Sequence, residues 1–130
     1  MDKLLSGRSI LVIEDEMLIL MMIEDMLSDL GCKSISAASK IGQAITLIGG
    51  QVFDAAMVDL NLNGIASYPI ADALIEHDVP YFFSTGSSVT NIKDGYRDQD
   101  VLKKPFTFEQ LGNMLSRSLL HQTNVVKLKH

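Results

Sequence analysis

Three charged positions in this chain each follow a short apolar run, and no other feature restricts its fold as much. Glu14-Asp15 follows Ser9–Ile13, Asp59 closes the run 52–59, and Lys104-Pro105 follows the run 100–102. Short apolar runs separated by segments of helical spacing read as strands of an α/β sheet. In such a sheet, residues just past the C-terminal strand ends converge on one crevice. Three carboxylates and one lysine gathered there repel one another or bind something. A divalent cation and a phosphoryl group match that charge pattern.

The rest of the chain fits the same alternation. Ser9–Ile13 (SILVI) is continuously apolar, as expected of a strand covered on both faces. Residues 16–30 carry Leu20, Ile23, Leu27 and Leu30 at helical spacing, with Gly31 as the stop. Residues 33–37 read as a second strand. Ser39 is placed to cap a helix over 40–48 that ends at Gly49-Gly50. Residues 53–58 form the third strand, with Asp59 at its exit. Residues 61–69 form a turn-rich loop around Asn63-Gly64, and Pro69 sits in the first turn of a helix reaching about His77. A fourth strand covers 79–84, with Pro80 at its start. Residues 85–99 are polar, anchored only by Val89 and Ile92, so any helix there is short. A fifth strand covers 100–102. Thr107 caps a last helix carrying Phe108, Leu111, Leu115 and Leu119, and 121–130 is a tail. Five strands alternating with about five helices imply parallel pairing, right-handed crossovers and helices on both faces.

At 130 residues the chain has the size of one domain, and 47% hydrophobic residues supply a core. We expect a single domain over 1–130 with its core at about 8–120. A net charge of −5 argues against non-specific nucleic-acid binding. The lone Cys32 excludes an intramolecular disulfide and a cysteine-based zinc site. Residues 1–7 are too short for a signal peptide, and no apolar run approaches the roughly 18 residues needed to span a bilayer. The expectation is a soluble cytoplasmic protein with no membrane contact and, since nothing after Leu120 is long enough for a further domain, no DNA-binding unit.

Magnesium takes oxygen ligands and keeps several waters, so one or two carboxylates suffice. Asp15 and Asp59 are placed to bind it directly, Glu14 through water, and Asn61 through its backbone carbonyl. Lys104 offers a compact charge for a phosphate oxygen or a carboxylate, and a cis bond to Pro105 would aim it inward. Thr85 can donate its hydroxyl to a phosphoryl oxygen, and Gly86 lets the backbone approach closely. Each residue alone reads equally as a surface acid, a surface lysine or a helix cap; the set does not. His77, His121 and His130 have no metal-like spacing. The seven methionines, including Met17, Met21, Met22 and Met26, would suit an adaptable partner surface, but most read as core and helix-face residues.

The pieces Ile13-Glu14-Asp15-Glu16, Val58-Asp59-Leu60-Asn61, Thr85-Gly86 and Lys104-Pro105-Phe106, in this order and spacing, resemble the receiver domain of bacterial two-component response regulators, over about residues 8–120. The resemblance implies a flavodoxin-like, doubly wound, five-stranded parallel sheet of strand order 2-1-3-4-5. It implies Asp59 as phosphoacceptor, Asp15 and Glu14 as the acidic Mg²⁺ pocket, Thr85 as the switch hydroxyl and Lys104 as the phosphoryl contact. It also puts Asn61 and Ser87 at the positions that modulate the hydrolytic water. The implied role is that of a phosphorelay component: it accepts a phosphoryl group from a histidine kinase, loses it to water, and otherwise performs no enzymatic reaction. Output is expected by protein–protein contact.

The run 82–86, with Asn61-Leu62-Asn63-Gly64 upstream, looks like a variant subgroup carrying Phe-x-Thr-Gly, whose members often stand alone and partner HWE-type histidine kinases. Two positions depart from pattern. Ser87-Ser88 stands where the subgroup has an aromatic, and Val101 stands where receivers place Tyr or Phe, three residues before the lysine. The alternative function is a receiver-like binding module independent of phosphorylation. A magnesium-dependent phosphatase would place a general-acid Asp two residues after its nucleophile, where this chain has Asn61. A flavodoxin would replace the first acids by a phosphate-cradling loop.

Overall fold

The computed structural model describes residues 3–86, 92–96 and 99–128, with side chains described as far as Leu120. In chain order the elements are β1 (Ser9–Ile13), α1 (Met17–Asp29), β2 (Ser34–Ala38), α2 (Ile41–Gly50), β3 (Ala55–Asp59), β4 (Asn61–Leu62), β5 (Ile65–Ala66), α3 (Tyr68–Glu76), β6 (Tyr81–Thr85), β7 (Val101–Lys103) and α4 (Phe108–Leu128). The main sheet has the order β2-β1-β3-β6-β7, and each of its pairings is parallel. Leaving aside the hairpin β4–β5, this is the flavodoxin-like order 2-1-3-4-5 expected from the sequence.

Period-2 alternation along the strands feeds two cores. On one face Ile10, Val12, Met57, Phe82 and Leu102 meet Leu20, Ile23 and Leu27 of α1 and Leu111, Met114, Leu115 and Leu119 of α4. On the other, Leu11, Ile13, Ala56, Val58 and Phe83 meet Ala44 and Ile48 of α2 and Ile70, Ala71 and Leu74 of α3. Each fully buried leucine, such as Leu115, contributes about 2 kcal/mol of apolar transfer. The same alternation positions the charges. One step beyond Val12 is Glu14, beyond Met57 is Asp59, and beyond Leu102 is Lys104. All three therefore fall on the α1/α4 face at one edge of the sheet.

Several local expectations need correction. Ser39 does not cap α2: the cap residue is Lys40, with no side-chain cap, and Ser39 N–H instead donates to Gln43 Oε1 at 3.1 Å. The helix then runs through Gly49 and Gly50, because nothing there requires a positive φ. Gly31 does stop α1, with φ 87° and its N–H on Ser28 O. Val52 lies outside β3 and is exposed. The loop 61–69 contains the two-stranded antiparallel hairpin β4–β5. Of the methionines expected in the core or on a helix face, Met17, Met21 and Met22 are exposed on α1, which turns only its Leu20–Ile23–Leu27 stripe inward.

At the last helix Thr107 does cap: its Oγ1 accepts from Gln110 N–H at 3.1 Å while Gln110 Oε1 accepts from Thr107 N–H at 2.8 Å. Phe108 is exposed, since it occupies the first turn ahead of the buried stripe. The helix continues to Leu128 where a tail was expected, and 121–128 holds neither Gly nor Pro to end it. Of the segment 85–99, where any helix was expected to be short, residues 87–91 and 97–98 lie outside those described, and the described residues 92–96 form a turn with no helix. Among the described residues no helix is long and apolar enough to cross a membrane.

Candidate functional site

Lys104 Nζ bridges two acids, lying 2.6 Å from Glu14 Oε1 and 3.0 Å from Asp59 Oδ2. All three side chains are largely buried, Glu14 almost completely. Two backbone hydrogen bonds hold Glu14 and Lys104. Glu14 N–H continues the β1–β2 ladder to Ala38 O at 3.0 Å. Lys104 N–H continues β7 onto β6 through Thr85 O at 2.8 Å. The Lys104–Pro105 peptide bond is cis.

One oxygen each from Glu14, Asp15 and Asp59 lies within 4.8 Å of the others. Such a set of hard carboxylate oxygens suits Mg²⁺. Asp15, Asp59, Asn61, Thr85 and Lys104 line one open cleft of about 520 Å³, together with Gly64, Gly86 and Phe106; Glu14 sits behind it. All the residues expected from the sequence therefore meet at one place, except Ser87, which lies outside the described residues.

The charges are unevenly settled. Burial pushes the Glu14 carboxyl up, and the bonds from Lys104 and from Glu16 N–H (3.1 Å) do not fully offset it. Burial acts the same way on Asp15, but the hydrogen bonds led by Asn63 N–H at 3.0 Å prevail and hold it below the ordinary carboxylate range. Burial of Lys104 is likewise overcome by its two carboxylate partners, so its pKa rises and it stays an ammonium ion.

Of the hairpin β4–β5 only Asn61 was expected in the site; the part played by Asn63 was not. Asn61 N–H donates to Asp59 Oδ1 at 3.2 Å and Asn63 N–H reaches Asp15. Its signal was the Asn63-Gly64 dipeptide, a strong hairpin marker, which the sequence reading took only as a turn. The aromatic expected near position 101 also has a counterpart. Val101 pairs in register with Phe83, Phe83 packs edge-on against Tyr68, and Tyr68 lies 4.7 Å from Tyr96 between ring centroids. The Tyr96 hydroxyl donates to Asp72 on α3. Three rings from elsewhere in the chain, Tyr68, Phe83 and Tyr96, thus share a cluster with Val101.

A doubly wound parallel sheet with a lysine-bridged acid cluster at its C-terminal edge defines a flavodoxin-like α/β signalling module. The chain belongs to the response regulator receiver domain family, whose model matches residues 10–116. It is therefore a receiver domain of the two-component type. No curated protein sequence matches it. Among solved structures it is similar to SdrG from Sphingomonas melonis Fr1, with 37% identity, 90% of this chain and 98% of that one covered, and a TM-score of 0.77. It is also similar to the PhyR receiver domain of Erythrobacter litoralis, with 28% identity, 88% and 92% covered, and a TM-score of 0.76. A third similar structure is the receiver domain of the sensor histidine kinase PA1611 from Pseudomonas aeruginosa PAO1. That one has 26% identity, 88% and 98% covered, and a TM-score of 0.73, and a magnesium ion is coordinated in its active-site cleft. Receiver domains bind Mg²⁺ at this acidic site and work with histidine kinases and downstream partners.

Proposed function

We propose that this chain is a phosphoacceptor in a two-component phosphorelay, with Asp59 taking a phosphoryl group from a phosphohistidine of a histidine kinase. The observation that carries the reading is the Asp59 carboxylate itself. It lies in the cleft with Oδ2 on the Lys104 ammonium and Oδ1 on Asn61 N–H, so its orientation is fixed before any donor arrives. A carboxylate oxygen of Asp59 attacks phosphorus. The phosphorus–nitrogen bond breaks and its electron pair stays on the imidazole of the kinase. Phosphoryl transfer is mostly positioning plus charge stabilisation, and Lys104 and the Thr85 hydroxyl provide donors for the phosphoryl oxygens. Asp15 and Asp59, with Glu14 behind them and the Asn61 carbonyl beside them, are suited to hold Mg²⁺, which when bound supplies positive charge to those oxygens. Water later cleaves the acyl phosphate.

The chain reads as one domain over 1–130 with its core at about 8–120. It acts in the cytoplasm and signals by protein contact rather than through DNA or a membrane. An HWE-type kinase is the partner that the Phe-x-Thr-Gly run favours. Incubation with acetyl phosphate or phosphoramidate in the presence of Mg²⁺, followed by mass spectrometry, should show a single labile phosphoryl adduct. An unlabelled protein would leave a phosphorylation-independent binding module as the reading.

A further inference from the structure

Two backbone N–H groups of one short hairpin are directed at two different carboxylates of the site: Asn61 N–H at Asp59 Oδ1 (3.2 Å) and Asn63 N–H at Asp15 Oδ2 (3.0 Å). The hairpin pairs Asn61 with Ala66 and Leu62 with Ile65, leaving Asn63 and Gly64 as a two-residue turn with φ of 52° and 84°. Positive φ at both central residues is the type I′ requirement. The turn is also closed by a side chain. Gly64 N–H donates to Asn61 Oδ1 at 2.8 Å. Asn63 Nδ2 reaches Ser39 O at 3.4 Å and ties the turn to the segment after β2.

We propose that Asn61 is a positioning residue for the metal pocket: its amide oxygen closes the β4–β5 turn, which aims the Asn63 N–H at Asp15 and sets the orientation of that carboxylate toward Mg²⁺. The inference deepens the pocket reading above and rests on it. A ligand carboxylate whose second oxygen is held by a fixed donor presents its first oxygen in one direction, and such outer partners tune metal affinity. The Asn61 amide oxygen is itself engaged within the turn.

The test is an Mg²⁺ titration of the metal-free protein, followed by NMR, in variants that break the turn from its two ends. Asn61→Ala removes the acceptor. Gly64→Ala has open space for its Cβ but strains a backbone at φ 84°. Both should raise the Mg²⁺ dissociation constant about three- to tenfold, the range expected for losing one orienting hydrogen bond. Ile65→Thr, on the same hairpin but exposed, should leave it unchanged. Asn61→Asp keeps the acceptor and should preserve the slow hydrogen exchange of the Gly64 amide that Asn61→Ala loses. The thermal midpoint of Asn61→Ala without metal should stay near that of the wild type, which separates positioning from a merely structural role, whereas the strained Gly64→Ala should melt lower. Unshifted Mg²⁺ affinity in both turn variants, with normal wild-type binding, overturns the inference alone. A wild type that binds no Mg²⁺ overturns the pocket reading with it.

Discussion

Strands β1 and β3 carry an aspartate–cation pair at each end, and the two pairs are built on opposite principles. At the N-terminal end Asp54 meets Arg8 at 3.4 Å and accepts Ser9 N–H at 2.7 Å. One negative charge faces one positive charge, and both side chains are substantially exposed, 30% and 43%. At the C-terminal end Asp59 shares Lys104 with Glu14, and Asp15 stands beside them at the cleft, so three carboxylates, two of them buried, face one ammonium. The first pair is complete as it stands and simply closes the sheet edge. The second has more negative charge than its lysine can match, and burial makes that excess costly. A site left short of positive charge is one that a cation and a phosphoryl transfer can use.

The comparison breaks most visibly on the two cations. Lys104→Ala leaves Glu14 and Asp59 buried without their partner. We expect a loss of about 3 kcal/mol by urea denaturation in the absence of metal, the usual cost of stripping a buried pair of its partner. Millimolar Mg²⁺ should restore part of it. Arg8→Ala should cost less than about 1 kcal/mol, as exposed pairs do, with no response to Mg²⁺. Equal losses from both substitutions would erase the distinction between the two ends.

Within the acidic end, Asp15 lines the cleft and Glu14 does not. Asp15→Ala should weaken Mg²⁺ binding by about tenfold or more and Glu14→Ala by less, measured by calorimetric titration. Equal effects would refute the order of the two acids around the metal.

The smallest effect is in pH. Glu14 has a folded pKa raised above 4.5, chiefly by burial, so the folded protein binds that proton more tightly than the unfolded chain. Metal-free stability should therefore rise as pH falls through the raised value toward 4.5, and be lost again as pH climbs back through it. Mg²⁺ affinity should weaken over the same interval, because the metal needs the carboxylate. Asp15, held below 3.8, contributes stability that is lost only at lower pH, and Lys104, raised above 10.5, contributes stability that is lost only at higher pH. Neither masks the window. Urea melts and Mg²⁺ titrations across pH 4.5 to neutral read this out, and a flat profile would place Glu14 in a wetter setting than the geometry gives it.

Much of this was legible before any coordinates, for a physical reason. Strands such as Ser9–Ile13 are buried on both faces and therefore spelled in apolar residues, while their exits must become polar; both ends of the signal lie in one short window. The strand order followed from the alternation together with the receiver resemblance, and Asp15, Asp59, Thr85 and Lys104 from their places at strand ends. What was missed depends on contacts between windows. The Ser39 case is the exception, a local one: Gln43, only four residues on, takes its N–H and leaves Lys40 as the cap. The exposure of Met17 and Met21 depends on which stripe of α1 the sheet accepts. The role of Asn63 depends on Asp15, 48 positions away. Val101 looked like a missing ring because the rings that share its cluster come from Tyr68, Phe83 and Tyr96.

The central claim is that the uncompensated aspartate, and not the compensated one, receives phosphate. Asp59→Asn and Asp54→Asn should each be treated with phosphoramidate in the presence of Mg²⁺ and mapped by mass spectrometry after borohydride trapping. The account predicts no adduct in Asp59→Asn and wild-type labelling at Asp59 in Asp54→Asn. Full labelling of Asp59→Asn, with the adduct at Asp54, would contradict it.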